Sequence, residues 1–170
     1  MKNFNILANF FHNANNKSIG FKKNNLWNWK SNEDIIKNVN GALDILNYQT
    51  TSLNVLPWAH IYSLTTELYY NLYRNNSIAI ATDKTTFVNE MREIKPDVLY
   101  IVPKVLELIK QKLIKFDKPV IRFVLPYLLK YILGNNIQYI FIGGSKLDNV
   151  TKQFYIDNNI KLCEGYGATE

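Results

Sequence analysis

Seven residues of this 170-residue chain, Glu164, Gly165, Tyr166, Gly167, Ala168, Thr169 and Glu170, combine types that could handle a nucleotide. Tyr166 sits between two glycines with no Cβ to obstruct its ring, which suits stacking on a nucleobase. Thr169 can donate a hydrogen bond to a phosphate, and the Glu170 carboxylate is the hard oxygen ligand that Mg2+ prefers. A second stretch, Gly143, Gly144 and Ser145, follows the apolar run "IQYIFI". Two glycines there let the backbone turn sharply and let a flat ligand approach main-chain groups. As plain structure, this stretch is a strand-to-helix turn in which Ser145 or Asp148 caps the next helix. The plain reading of 164–170, a surface loop around a partly buried tyrosine, does not predict the order aromatic, hydroxyl, carboxylate.

The elements that must position these residues alternate along the chain. "SNEDIIKNVNGALDIL" (31–46) opens with Ser31, has Asp34 in its first turn and spaces Ile35, Val39, Ala42 and Leu46 for a helix. Strands are expected at "TSLNVLP" (51–57), "SIAIAT" (77–82), "DVLYIVP" (97–103), "IQYIFIGG" (137–144) and "IKLCEGYG" (160–167). Helices are expected at 63–75, 85–94, 104–116, 126–134 after a turn at Pro119, and 149–159, with Gly134 as a C-terminal stop. Short apolar strands alternating with helices imply an α/β fold, a parallel sheet with helices on both faces. Ligands of such sheets bind at the carboxyl ends of the strands, which selects the loops "PWAH", "IVPK", "GGSK" and "GYGATE".

Composition bounds the reading. The chain is 47% apolar, enough for a core within the size of one domain. Its formal charge of +6 suits an anionic partner, but the lysines are spread along the chain and most aromatics sit in apolar runs, so no nucleic-acid partner is expected. Cys163 is the single cysteine, which excludes an internal disulfide and a cysteine-rich zinc site. The start "MKNFNILANFFHNANNK" is too interrupted by asparagine for a secretory signal, and "VIRFVLPYLLKYIL" is broken by Arg122, Pro126 and Lys130. A cytoplasmic protein is expected, with at most peripheral contact at a membrane surface.

Four blocks in order resemble the AMP-forming acyl-CoA synthetases of the adenylate-forming superfamily, within them the long-chain fatty acid ligases. "LPWAHIYSLTTELYYNLYRNNSIAIAT" is similar to the family's "LP-x-AH" segment with its helix and strand. "IKPDVLYIVPKVLELI" is similar to its "P-T-x-x-x-x-VPR-x-x-E-K-I" stretch, "LGNNIQYIFIGGSKL" to the strand entering "GGAPL", and "KLCEGYGATE" to "EGYG-x-TE". The resemblance is clearest over 31–170 and weak before it, and it treats 1–170 as a partial AMP-binding domain.

What the resemblance implies is specific. Gly143, Gly144 and Ser145 line the adenine and acyl pocket, Tyr166 stacks on adenine, and Gly165 and Gly167 shape its slot. Thr169 contacts the α-phosphate, Glu170 ligates Mg2+, and His60 lies near the carboxylate being activated. The implied substrates are ATP (AMP after reaction), a long-chain fatty acid and CoA. Lys104 replaces the family's arginine, Ser145 its alanine and Lys146 its proline.

The resemblance also predicts absences. Upstream of the helix at 31–46 the family carries a Ser/Thr/Gly-rich loop ending in Pro-Lys-Gly that holds the β- and γ-phosphates; here stands "GFKKNNLWNWK". The later aspartate, hinge and lysine-bearing C-terminal lid domain of the family have no counterpart in the 170 residues. The expectation is an incomplete piece of the large N-terminal domain, inactive alone as a long-chain fatty acid CoA ligase. Against it stand two other readings: a non-catalytic remnant or split piece that binds nucleotide weakly or docks to a second chain completing the fold, and a peripheral membrane module.

Overall fold

A computed structural model describes residues 17–41, 49–83, 85–114, 119–165 and 167. The chain enters through an antiparallel hairpin, β1 (Lys17–Lys23) and β2 (Leu26–Ser31). Its two-residue turn is Asn24–Asn25, both left-handed at φ 51° and 63°. That is the pairing a tight hairpin requires, and asparagine tolerates it better than other non-glycine residues. Sequence reading assigned no element to this stretch. β2 runs directly into α1 (Asn32–Gly41), whose start is a reciprocal box: the Asp34 amide donates to Ser31 Oγ at 3.2 Å and the Ser31 amide to Asp34 Oδ2 at 3.0 Å. The expected continuation to residue 46 lies outside the described residues.

A five-stranded sheet follows, built from β3 (Thr51–Asn54), β4 (Ser77–Ile80), β5 (Val98–Ile101), β6 (Tyr139–Ile142) and β7 (Lys161–Glu164). All neighbours are parallel, in the order β4-β3-β5-β6-β7. The crossovers are α2 (61–73) between β3 and β4, α3 (Phe87–Ile94), then α4 (Pro103–Ile114) and α5 (Pro119–Ile132) between β5 and β6, and α6 (Asn149–Asp157). The α/β parallel sheet read from the sequence is therefore the fold. α5 departs from expectation: it starts at Pro119 and runs through Pro126. Proline fits a first helical position because its missing N–H has no partner there. The helix survives the second proline because Leu129 and Leu133 beyond it are fully buried in the core.

Period-two alternation divides the strands between two cores. Leu53, Leu99, Ile101, Ile140 and Ile142 face the larger one, against α3, α4, α5 and α6. Val98 and Tyr100 face the other way, against Ile35 and Val39 of α1 and Tyr70 of α2. Tyr100 stacks on Phe141 at 5.2 Å, and Phe141 on Tyr139, along that second face. Gly134, at φ +91°, ends α5 so close to the Met91 carbonyl that no Cβ fits.

Candidate functional site

The strand order reverses between β3 and β5: β3 is followed in space by β4 on one side, β5 by β6 and β7 on the other. At such a point the crossovers diverge and leave a crevice at the carboxyl ends of the strands. A cleft of about 500 Å³ opens there. One wall is the loop after β3 with the start of α2, contributing Leu56, His60, Ile61 and Tyr62; the other brings Val102, Gly144, Gly165 and Gly167 from three later loops.

α2 is one helical run of unusual make-up, Ile61–Ser63, a π-helical Leu64–Tyr69, and Tyr70–Tyr73. The cause is legible in "SLTT". Thr65 Oγ1 donates to the Ile61 carbonyl at 2.7 Å and Thr66 Oγ1 to the Tyr62 carbonyl at 2.6 Å. Hydroxyls that occupy the i−4 carbonyls compete with the backbone amides, which shift to the next register. His60 stands at the N-terminus of this run, exposed, with extended backbone and no side-chain cap. Its amide donates to the Pro57 carbonyl at 3.2 Å, and Ser63 Oγ donates to the same carbonyl at 2.7 Å.

The glycines meet this wall. The Gly143 amide continues the ladder to the Ile101 carbonyl at 3.2 Å, and a Cβ on Gly143 would penetrate the Tyr62 ring. Gly144 is left-handed at φ +84° and exposed, and a Cβ at Gly167 would meet nothing within 4 Å. The Gly165 amide donates to the Ile142 carbonyl at 2.8 Å. Side-chain-free backbone thus lines one side of the cleft and leaves room for a flat group. Ser145 is exposed and is not the cap of α6; Asp148 is, accepting from the Thr151 amide at 2.8 Å. Hydrogen bonds from Thr151 hold the Asp148 carboxyl below its ordinary pKa.

His60, Gly144, Gly165 and Gly167 therefore converge on one cleft, with Gly143 behind the Tyr62 ring. Tyr166, Thr169 and Glu170 lie outside the described residues. Among the described residues no three His, Cys, Asp or Glu side chains come together as a metal site, so the Mg2+ expectation rests on Glu170. No described helix is long and apolar enough to cross a membrane.

Sequence reading missed a buried polar group beneath the cleft. Glu67, in the π-helical segment, is 0% exposed. Its carboxyl accepts from Asn54 Nδ2 at 2.5 Å and Ser52 Oγ at 3.5 Å, with the buried Trp58 indole N–H beside it. Burial pushes its pKa up to about 7, against the hydrogen bonds, which favour the charged form. Burial likewise raises the phenols of Tyr62 and Tyr100. The available signal was "TSLN": polar residues at alternate positions of a strand expected to be buried on both faces.

Residues 25–170 match the sequence profile of the family described as AMP-binding enzyme. No curated protein matches the sequence closely. Among solved structures, the A domain of a carboxylic acid reductase from Segniliparus rugosus, in complex with AMP and a co-purified carboxylic acid, superposes with a TM-score of 0.74 at 18% identity. That match covers 91% of this chain and 27% of that one. The inhibitor-bound N-terminal domain of FACL13 from Mycobacterium tuberculosis gives 0.69 at 16% identity, covering 93% and 38%. A Mycobacterium tuberculosis fatty acyl CoA synthetase gives 0.60 at 18%, covering 85% and 26%. The chain thus spans between a quarter and two-fifths of the length of these structures, and at such identities the likeness is one of fold.

Proposed function

The chain belongs to the AMP-binding enzyme family, and on that premise we propose that its cleft is an adenylate site of long-chain fatty acid ligase type. The observation that carries this is the convergence of His60 with the backbone of Gly144, Gly165 and Gly167 at the switch point of the sheet. In the reaction of the intact type, a fatty acid carboxylate attacks the α-phosphorus of ATP, pyrophosphate leaves, and the CoA thiol then displaces AMP. The residues here supply recognition. The glycine loops accept the flat base, Tyr166 stacks on it, Thr169 donates to the α-phosphate, and His60 faces the carboxylate. Glu170 would hold Mg2+, which offsets phosphate charge when bound. The apolar Leu56, Ile61 and Val102 favour a hydrophobic carboxylate.

The same premise argues for weak or absent catalysis by this chain alone. Where the resemblance places the phosphate-holding loop, the chain makes a two-residue Asn24–Asn25 turn, and the family match begins at residue 25. Losing one preorganised donor of this kind reduces kcat by about 10²–10³, and here a whole loop is replaced. Calorimetry with a non-hydrolysable long-chain acyl-adenylate analogue, set against an acetyl one, tests the site; equal or tighter binding of the acetyl compound refutes the long-chain assignment. ATP–pyrophosphate exchange with long-chain fatty acids tests the second point. Exchange no higher than in His60→Ala and Tyr166→Ala supports the non-catalytic reading, and clear excess over them overturns it.

A further inference from the structure

Asn54 is the last residue of β3, and its side-chain amide uses both hydrogens. One goes to Glu67 Oε2 at 2.5 Å, the other to the Leu56 carbonyl at 2.9 Å. Leu56 begins the turn that ends at His60, and the Pro57 carbonyl receives the His60 amide and Ser63 Oγ. The turn is therefore tied at its end to α2 and at its beginning, through one amide, to a carboxyl buried under the sheet. We propose that Glu67 is a positioning residue: acting through Asn54, it holds the Leu56–His60 turn and so sets the shape of the cleft wall that carries His60.

The arrangement has features that packing alone does not require. A Leu at position 67 would extend the neighbouring apolar cluster, whereas a carboxyl in an apolar interior is costly unless donors meet it. The donors are Asn54 and Ser52, placed on the same face of β3 by strand alternation and turned away from Leu53 and the larger core. The π-helical segment that contains Glu67 is itself a feature concentrated at functional sites.

The carboxyl also gives the turn a protonation state. No cation faces it. Its charge is felt by the phenols of Tyr62 on its own helix and Tyr100 on β5, Tyr70 acts on Tyr100, and Cys163 of β7 acts on Tyr62. α1 packs across the same region with Ile35 and Val39, while its Glu33, Asp34 and Lys37 are turned to the exposed side. Burial raises Tyr62, Tyr100 and Cys163, so among these four described groups Glu67, pushed up to about 7, is the one that changes charge near neutrality. As a carboxylate it is the stronger acceptor for Asn54, and charge-assisted bonds are about twice as strong as neutral ones.

The test uses the full chain in two arms. Without ligand, NMR follows the Asn54 side-chain amide and the amides of Leu56 and Ala59 from pH 5.5 to 8.5. The expected result is a shared midpoint near neutrality that persists in His60→Gln, is lost in Glu67→Gln, and no longer reaches Leu56 and Ala59 in Asn54→Ala. A wild-type Asn54 amide that does not titrate overturns the proposal even if Glu67→Gln fails to fold. The second arm rests on the adenylate-site reading and measures affinity for the long-chain acyl-adenylate analogue. Affinity should rise with pH in the wild type and stay flat in Glu67→Gln, which keeps an acceptor for Asn54. Glu67→Leu, which has none, should bind about tenfold or more weakly at pH 8. Equal pH profiles for wild type and Glu67→Gln refute the positioning role. Absence of binding in every variant refutes the adenylate reading and leaves the ligand-free arm to decide this one.

Discussion

The two faces of the sheet solve burial in different ways. One is an apolar core in which Met91, Leu106, Leu129, Leu133, Ile140 and Tyr155 are fully buried. The buried Tyr155 hydroxyl on this side is satisfied by the Leu106 carbonyl, to which it donates at 2.8 Å. The other face, beneath the cleft, puts Ser52, Asn54, Glu67, Asn71 and Tyr100 at comparable depth. Its polar groups form a chain: Asn71 Nδ2 donates to the Glu67 main-chain carbonyl at 2.8 Å, and Asn71 Oδ1 accepts from Asn76 Nδ2 at 2.9 Å. The first face stabilises through area removed from water, which is insensitive to pH. The second holds loop geometry with hydrogen bonds around a titratable group, so its stability depends on conditions. The difference teaches that stiffness near the cleft comes from directed contacts rather than from bulk packing.

The largest effect should come from the apolar face. Leu106→Ala or Leu129→Ala leaves a cavity in a close-packed layer and should lower unfolding free energy by about 2–5 kcal/mol, equally at pH 5 and pH 8. Urea denaturation at both values reads it, and a marked pH dependence of the loss would break the contrast. Glu67→Gln should do the reverse. A carboxyl raised from 4.5 to about 7 binds its proton more tightly folded than unfolded, so its stabilisation is complete below pH 4.5 and is lost as pH rises to about 7. At pH 8 the variant should exceed the wild type by on the order of 3 kcal/mol, with no gain at pH 4. A variant less stable than the wild type at pH 8 would show that the ionised carboxyl is a net stabiliser there.

Gly143→Ala comes next. Its Cβ meets the Tyr62 ring, so the ring or the β6 end must move, with a loss of about 1–3 kcal/mol and weaker binding of the adenylate analogue. Unchanged thermal unfolding and unchanged affinity would show that Tyr62 yields freely. His60→Ala should have the smallest effect on stability, within about 0.5 kcal/mol, because the side chain is exposed and caps nothing. It should still weaken adenylate binding, and a stability loss as large as that of Leu106→Ala would mean that His60 is structural.

Much of the architecture was legible because local signals agreed with one another. The β-branched runs "SIAIAT" and "IQYIFI" bounded by turn residues became β4 and β6, and the Ser31–Asp34 box began α1. The hairpin was not legible: "FKKNNLWNWK" lacks a glycine turn, and its two asparagines reach left-handed backbone that sequence alone does not announce. The sequence places the start of α5 seven residues late, because Pro119 reads as a turn and Pro126 as a helix start, whereas burial of Leu129 and Leu133 outweighs the one hydrogen bond lost at Pro126. Motif order singles out His60 and the glycines that line the cleft, but not Glu67, since a helix glutamate ordinarily faces solvent.

The sequence by itself determined the alternation of strands and helices from residue 51 onward, the glycine loops and the family, because each rests on residues adjacent in the chain. Only the tertiary structure decided that β3 and β5 pair at the switch point while their crossovers diverge, that Tyr62 closes on Gly143, and that Asn54 reaches Glu67 thirteen residues away. Side-chain direction fixes such meetings. Alternation along β3 turns Asn54 from the larger core, and the π-helical register of α2 turns Glu67 toward it; neither rotation is defined until the helix lies on the sheet.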